Sequence, residues 1–201
     1  MMISPPTQLV NQDHSLATRV YQEMISQSNL DQTYVSEQIW YQEPEKVTTN
    51  LTNLLTETHL LLNSNNYPCS KERWFVEIHR SLAKNEKVVT PLAWHQDDDG
   101  GWSEPEVVTL IYYLKKDPDL LGGNLLYSLT PDDPDTYLNP NLKVFQPSLN
   151  SNKRVNTVDF PIIQVETGKT VMMRGDMWHC PENIQGIGER QLLLVQFPRL
   201  K

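Results

Sequence analysis

Residues 107–114 read Val-Val-Thr-Leu-Ile-Tyr-Tyr-Leu, and this run indicates the fold more strongly than any other part of the chain. β-Branched and aromatic side chains of this kind favour strands. Many short strands separated by turns rich in Pro, Asp and Asn are typical of a sandwich or barrel of the jelly-roll kind, so we predict a mainly β protein. Further strands are predicted at residues 74–79, 88–94, 125–129, 142–145, 155–165, 169–174 and 191–197.

The N-terminal third of the chain has a different character. Residues 16–30 and 45–63 carry apolar side chains at helical spacing, which predicts two amphipathic helices that pack on the outside of the sheet. Residues 34–41 favour a short strand, and the polar residues 1–15 are expected to form a loosely held arm. We predict one domain, 1–201, with N-terminal supporting helices in residues 1–70 and a jelly-roll core in residues 71–201.

Charge and composition exclude several classes of partner. The formal net charge of −8 at pH 7 argues against nonspecific binding to nucleic acid or to anionic membranes. No apolar run reaches the roughly 20 residues that span a bilayer, and the first residues do not resemble a signal peptide. Cys69 and Cys180 are too few for a disulfide framework, so we expect a reducing, cytoplasmic setting. The oligomeric state stays open.

A candidate metal site begins at Trp94-His95-Gln96-Asp97. Side chains two positions apart point to the same side of a strand, so His95 and Asp97 share a face. Together with His179 from a later strand region, they would leave three octahedral positions of a metal open, as in non-haem Fe(II) oxygenases. Asp98 and Asp99 lie close by, but alternation and motif position favour Asp97. The bland alternative is that the histidines are structural and that Asp97 belongs to a solvated acidic loop.

The order of motifs resembles that of the Fe(II)/2-oxoglutarate-dependent dioxygenases, and most of all their prolyl-hydroxylase branch. His-Gln-Asp is followed by the strand at 107–114, by an Asp- and Lys-rich turn and by Gly-Gly-Asn-Leu; later, Arg-Gly-Asp-Met-Trp-His at 174–179 leads to Arg190. The resemblance covers roughly residues 74–198. It implies a double-stranded β-helix (jelly roll) that uses Fe(II), 2-oxoglutarate and O2, and releases succinate and carbon dioxide.

The resemblance also implies a role for individual residues. His95, Asp97 and His179 match the iron ligands and form the catalytic centre, and Arg190 matches the residue that pairs with the distal carboxylate of 2-oxoglutarate. A guanidinium suits that task because its planar fork meets a carboxylate bidentately. Tyr113 can hydrogen-bond the same carboxylate, while Tyr112 points the other way. We expect Leu125 and Leu192 to line the cosubstrate pocket, and Trp102, His79 and Arg174 to contact the substrate. A packing or surface role is the alternative for His79. Arg174 is the reserve candidate for the role of Arg190.

The presence of Asp97 favours hydroxylation or a related oxidation, because halogenases of this type resemble the hydroxylases but carry Gly or Ala at the corresponding position. The substrate suggested by the resemblance is a peptidyl proline or a small amino-acid-derived metabolite. Two other classes stay open. One is a non-enzymatic jelly-roll binding module in which the histidines are structural or hold zinc. The other is a cupin-like enzyme without 2-oxoglutarate, which would have no obvious use for Arg190.

Overall fold

The computed structural model describes residues 4–9, 12–84, 94–97, 106–129 and 160–200. Two α-helices and a short 3-10 helix lie in the N-terminal part of these ranges, at Ser15–Ile25 (α1), Thr49–Ser64 (α2) and Pro44–Lys46. The strands are Thr7–Leu9 (β1), Tyr34–Trp40 (β2), Phe75–Lys84 (β3), Val107–Lys116 (β4), Leu120–Gly122 (β5), Leu125–Tyr127 (β6), Ile162–Ile163 (β7), Thr170–Arg174 (β8), His179–Pro181 (β9) and Ile184–Pro198 (β10).

Two antiparallel sheets make up the β part of the described chain. The larger sheet has the strand order β1-β8-β4-β10-β3-β2, and β5 pairs with the beginning of β10. The smaller sheet has the order β7-β6-β9. The long strand β10 runs between β3 and β4 and pairs with both along most of its length. The mainly β, jelly-roll fold predicted from the sequence is confirmed.

The two helices cover one face of the larger sheet. Val20 and Tyr21 of α1 and Leu51 and Leu54 of α2 are buried against strand residues such as Val76, in the largest apolar cluster of the described chain. Helix α2 begins four residues later than predicted, because Pro44–Lys46 forms a separate 3-10 turn and the Thr48 side chain then accepts the hydrogen bond from the Leu51 amide as an N-cap. Helix α1 ends at Ile25 rather than at residue 30.

The prediction of a loose N-terminal arm is wrong for part of residues 1–15. Strand β1 pairs antiparallel with β8 at the edge of the larger sheet, and the His14 ring lies 2.8 Å from the Thr170 hydroxyl. Backbone pairing needs no apolar pattern, so a polar segment gives little sign in sequence that it will extend a sheet edge.

Several predicted strands lie outside the described residues. These are most of the strand at 88–94, all of the strand at 142–145 and the first part of the strand at 155–165, of which the described end contains β7. Among the described helices, none combines the length and apolar character needed to cross a membrane.

Candidate metal centre and its cavity

His95, Asp97 and His179 converge on one point. His179 begins β9, and the backbones of His95 and His179 exchange two hydrogen bonds of 3.0 Å, which holds the two rings at a centroid separation of 4.2 Å. Asp97 Oδ1 lies 3.6 Å from His179 Nε2 and 3.8 Å from His95 Nε2. One potential ligand atom from each of the three residues lies within 4.8 Å of the others. The cluster therefore has the donors of a facial metal site.

Hydrogen bonds behind His179 and Asp97 direct their potential ligand atoms toward the cluster. His179 Nδ1 lies 3.0 Å from the carbonyl oxygen of Met177, which can only accept, so Nδ1 carries the proton and Nε2 presents its lone pair. The Thr109 hydroxyl donates to Asp97 Oδ2 at 2.5 Å and leaves Oδ1 toward the histidines. Such outer contacts orient metal ligands and raise their affinity.

The protonation state of His179 also suits a ligand. Burial lowers the pKa of His179 well below its ordinary value, and the neighbouring His95 lowers it further, which outweighs the opposite effect of Asp97. A neutral imidazole is the form that binds a metal. Two imidazoles and one carboxylate fit Fe(II) in chemistry and in number, with positions left for other ligands.

Arg190 is a buried cation that has no acidic partner among the described residues. Its side chain is 2% exposed, one terminal nitrogen donates to the Gly123 carbonyl at 2.9 Å, and Nε has no hydrogen-bond partner. No carboxylate of the described residues lies within ion-pair distance of it. Burial lowers the pKa of Arg190, and the Tyr113 and Tyr34 hydroxyls raise it, but a guanidinium keeps its charge at neutral pH. This arrangement fits an anionic ligand.

Gly123 makes room for that guanidinium. Its φ of 72° is in the left-handed region, and a Cβ there would lie 3.3 Å from Arg190 Cδ and 2.8 Å from Ile184 Cγ2. The Gly122-Gly123 pair noted in the sequence thus turns the chain so that a backbone carbonyl can contact Arg190.

One cavity of about 330 Å³ joins the metal cluster to Arg190. Tyr113 is 2% exposed and lines this cavity, whereas the Tyr112 hydroxyl lies 2.8 Å from Thr58 Oγ1 on the helix side of the sheet. The alternation of the two tyrosines is as expected. The sequence-predicted residues that line the cavity are His95, Asp97, His179, Arg190, Tyr113, Leu125, Leu192 and His79.

Two predicted site residues are not part of this group. Arg174 does not line the cavity; its guanidinium forms an ion pair with Asp176, so it does not serve as the reserve for Arg190. Arg174 alternates with Met173, which takes the inward position on β8. Trp102 lies outside the described residues, as do Asp98 and Asp99.

Sequence reasoning also missed several polar residues of the cavity. Glu77 lies two positions before His79 on β3 and shares its face, so alternation could have indicated it. Thr109 could have been indicated in the same way from Tyr113 on β4. Tyr34 reaches the cavity only because β2 pairs with β3, and nothing in the sequence pattern announces that neighbour.

Comparisons with known proteins identify the fold. No model of a protein family matches the chain, and no curated protein matches its sequence. Solved structures do match. IDO from Bacillus thuringiensis has a TM-score of 0.54 and 15% identity over 98% of this chain and 93% of that one, and a Pseudomonas putida prolyl-4-hydroxylase has a TM-score of 0.52 and 16% identity over 98% of this chain and 93% of that one. An oxidoreductase of the 2OG-Fe(II) oxygenase family from Burkholderia pseudomallei has a TM-score of 0.55 and 12% identity over 96% of this chain and 84% of that one. The chain therefore has the fold of the 2OG-Fe(II) oxygenases.

Proposed function

We propose that the protein is an Fe(II)- and 2-oxoglutarate-dependent dioxygenase that hydroxylates an unactivated C–H bond. The observation that carries this proposal is the pairing, in one cavity, of a His-Asp-His donor set with a buried arginine that has no acidic partner among the described residues. Metal ligation alone would fit many functions. The buried arginine supports an anionic cosubstrate, which it would bind at a distance from the metal.

The residues of the cavity divide the work. His95, Asp97 and His179 would hold Fe(II) and leave its remaining positions to the cosubstrate and O2. Arg190 and the Tyr113 hydroxyl would bind the distal carboxylate of 2-oxoglutarate, and Leu125 and Leu192 would line its aliphatic part. Fe(II) with 2-oxoglutarate and O2 supplies the oxidising chemistry: one oxygen atom enters the substrate as hydroxyl, and the other enters succinate as carbon dioxide leaves.

For the substrate, we propose a class rather than one compound. A peptidyl proline and a small amino-acid-derived metabolite are the candidates, and neither nucleic acid nor a membrane is proposed as a partner. Cys69 and Cys180 are buried and form no disulfide with each other, which agrees with the reducing, cytoplasmic setting that we propose. Asp97 takes the position that halide would need, so the proposed outcome is hydroxylation.

Succinate formation tests the proposed function. The full chain is freed of metal, loaded with Fe(II) and incubated with 2-oxoglutarate in air. We expect Fe(II)-dependent succinate from the wild type and its loss in His179→Ala, with Cys69→Ser as a substituted control outside the cavity. A His179→Ala protein with full turnover would refute the ligand assignment. Oxidation that is indifferent to 2-oxoglutarate, in the wild type and in Arg190→Ala, would favour a cupin-like enzyme instead.

A further inference from the structure

We infer that the cavity also contains a recognition site for a protonated amine of a small-molecule substrate, with the Glu77 carboxylate as its anionic partner. This inference rests on the proposed function, because it names the substrate class of the same site. It concerns the wall that β3 and β2 contribute, away from the three proposed metal ligands.

Strand register places Glu77 between the two ends of the cavity. Arg190, Leu192, Leu194 and Gln196 follow one another along β10 and line the cavity, and Glu77 on β3 is the register partner of Leu194. Gln196 is level with Thr109, which contacts Asp97. Glu77 is therefore one inward-facing step from the level of the metal cluster and two steps from Arg190. A group bound there would lie beside the cosubstrate.

The contacts of Glu77 leave one of its oxygens for a ligand. Oε1 accepts from the Ser36 hydroxyl and from Gln38 Nε2 at 3.0 Å, and it lies 3.1 Å from His79 Nε2. Among the described residues, none forms a hydrogen bond or ion pair with Oε2, and no Lys or Arg lies within ion-pair distance of the carboxylate. The side chain is 15% exposed and faces the cavity.

Glu77 is nevertheless ionised. Burial raises its pKa, but the contacts with His79, Ser36 and Gln38 together outweigh burial and hold the pKa of Glu77 below its ordinary value. A largely buried carboxylate without a Lys or Arg partner is costly unless a cation arrives. The cavity thus presents a positive site at Arg190 and a negative one at Glu77.

His79 fixes one side of the Glu77 carboxylate. Its Nδ1 lies 2.6 Å from the Tyr34 hydroxyl, and burial raises the pKa of Tyr34, so the phenol keeps its proton and can donate to Nδ1. His79 Nε2 is buried and lies 3.1 Å from Glu77 Oε1, so this ring contacts one oxygen of the carboxylate and leaves Oε2 facing the cavity.

Aromatic rings beside Glu77 favour a cation over a neutral donor. Phe75 and Trp40 line the same cavity next to Glu77 and Gln38, with ring centroids 4.3 Å apart. A cation near such rings is attracted by their quadrupole. A cavity of about 330 Å³ must also receive the cosubstrate, which favours an amine on a small molecule.

Direct binding tests the inference without requiring turnover. Common free L-amino acids and n-alkylamines, each paired with its N-acetyl derivative, are titrated into the full chain and followed by saturation-transfer NMR. Glu77→Gln removes the charge but keeps the shape, and Glu77→Asp restores the charge. Glu37→Gln is the matched control. It removes a carboxylate from the neighbouring strand β2, where Glu37 is the register partner of Ile78.

We expect at least one free amine to bind the wild type and Glu37→Gln at least about tenfold more tightly than its N-acetyl derivative, a preference that Glu77→Gln loses and Glu77→Asp partly regains. Equal preference in Glu77→Gln, equal binding of the N-acetyl derivative, or binding of lysine peptides but of no free amine would overturn the inference. Succinate formation by a protein without amine preference refutes this inference alone; amine binding through Glu77 without succinate refutes only the proposed function.

Discussion

At Arg190, burial and ligand binding make opposite demands on one side chain. Taking an unpaired guanidinium out of water costs several kcal/mol, and the described residues offer it only a carbonyl oxygen and tyrosine hydroxyls. A purely structural arginine would stabilise the fold through its contacts. An arginine kept for an anionic ligand instead costs stability until the ligand binds.

This distinction predicts an unusual result for Arg190→Met. The variant should be as stable as the wild type or more so without ligand, because the uncompensated charge is gone, while 2-oxoglutarate affinity falls by about 2–5 kcal/mol. Thermal unfolding with metal, with and without 2-oxoglutarate, measures both effects. Arg199→Met, which breaks the ion pair with Glu106, should keep the cosubstrate shift. A destabilised Arg190→Met that retains the shift would mean a structural role.

Thr109 offers a second prediction at this scale. Thr109→Val keeps the side-chain shape but removes the hydrogen bond to Asp97 Oδ2, so the carboxylate should lose its orientation. We expect metal affinity to fall about 10–100-fold, and Thr109→Ser to retain most of it. Competition against a chelator of known affinity gives the values. Unchanged affinity in Thr109→Val would show that this hydrogen bond does not orient a ligand.

At the scale of elements, β10 organises the site. It lies between β3 and β4 in the larger sheet, and every second residue from Arg190 to Gln196 lines the cavity. Directly before Arg190, Glu189 joins all three strands, because its carboxylate pairs with Arg80 of β3 and with Lys115 of β4 at 3.2 Å. This network fixes the end of the sheet that carries Arg190.

The Glu189 network predicts a pH-dependent contribution to stability. Burial raises the pKa of Glu189, but Gln191, Arg80 and Lys115 together outweigh it, so the folded pKa is below the ordinary value. The stabilisation is then fully present above the unfolded pKa of about 4.3 and is lost as pH falls through the folded pKa. Glu189→Gln should lower the free energy of unfolding by about 1 kcal/mol at pH 7, since solvent screens the pairs.

The loss in Glu189→Gln should shrink in acid, and denaturant unfolding at pH 7 and at a series of lower pH values follows it. Glu72→Gln, at an exposed position, controls for the change in net charge. A loss of stability that is the same at every pH would show that the carboxylate charge of Glu189 does not provide it.

Elements with a strong local pattern were the ones that the sequence predicted well. Residues 107–114 lie inside β4, and the two helices have the expected apolar faces, because side-chain periodicity records burial directly. Strand β1 was missed, because its pairing with β8 uses backbone groups. The start of α2 differs from the prediction because it is set by the Thr48 cap and by the turn at Pro44–Lys46. The spacing of apolar residues does not show such local features.

For the whole molecule, the site depends on which distant strands become neighbours. The positions of His95 and His179 followed from motifs, and that of Tyr113 from alternation. The position of Tyr34 did not, because the order β2-β3-β10 brings it to the cavity and no local pattern encodes that order. The sequence therefore predicts which residues of one strand share a face more readily than it predicts which other strands line the same cavity.

Metal binding should stabilise the folded state as a whole. The three donors come from β9 and from the segment 94–97, which also contacts β4 through Thr109. A ligand at 100 times its dissociation constant stabilises the folded state by about 2.7 kcal/mol. We therefore expect EDTA to lower the melting temperature of the metal-loaded wild type and to leave that of His95→Ala unchanged. An equal effect of EDTA on both proteins would place the metal elsewhere.

The central claim is that two imidazoles and one carboxylate hold a single ferrous ion. Anaerobic equilibrium dialysis of the full chain against Fe(II) measures this most directly. The account predicts one tightly bound ion per wild-type chain and none in Asp97→Ala or His179→Ala, both otherwise folded. Variants that keep a tightly bound ion, or a wild type that binds none, would contradict it.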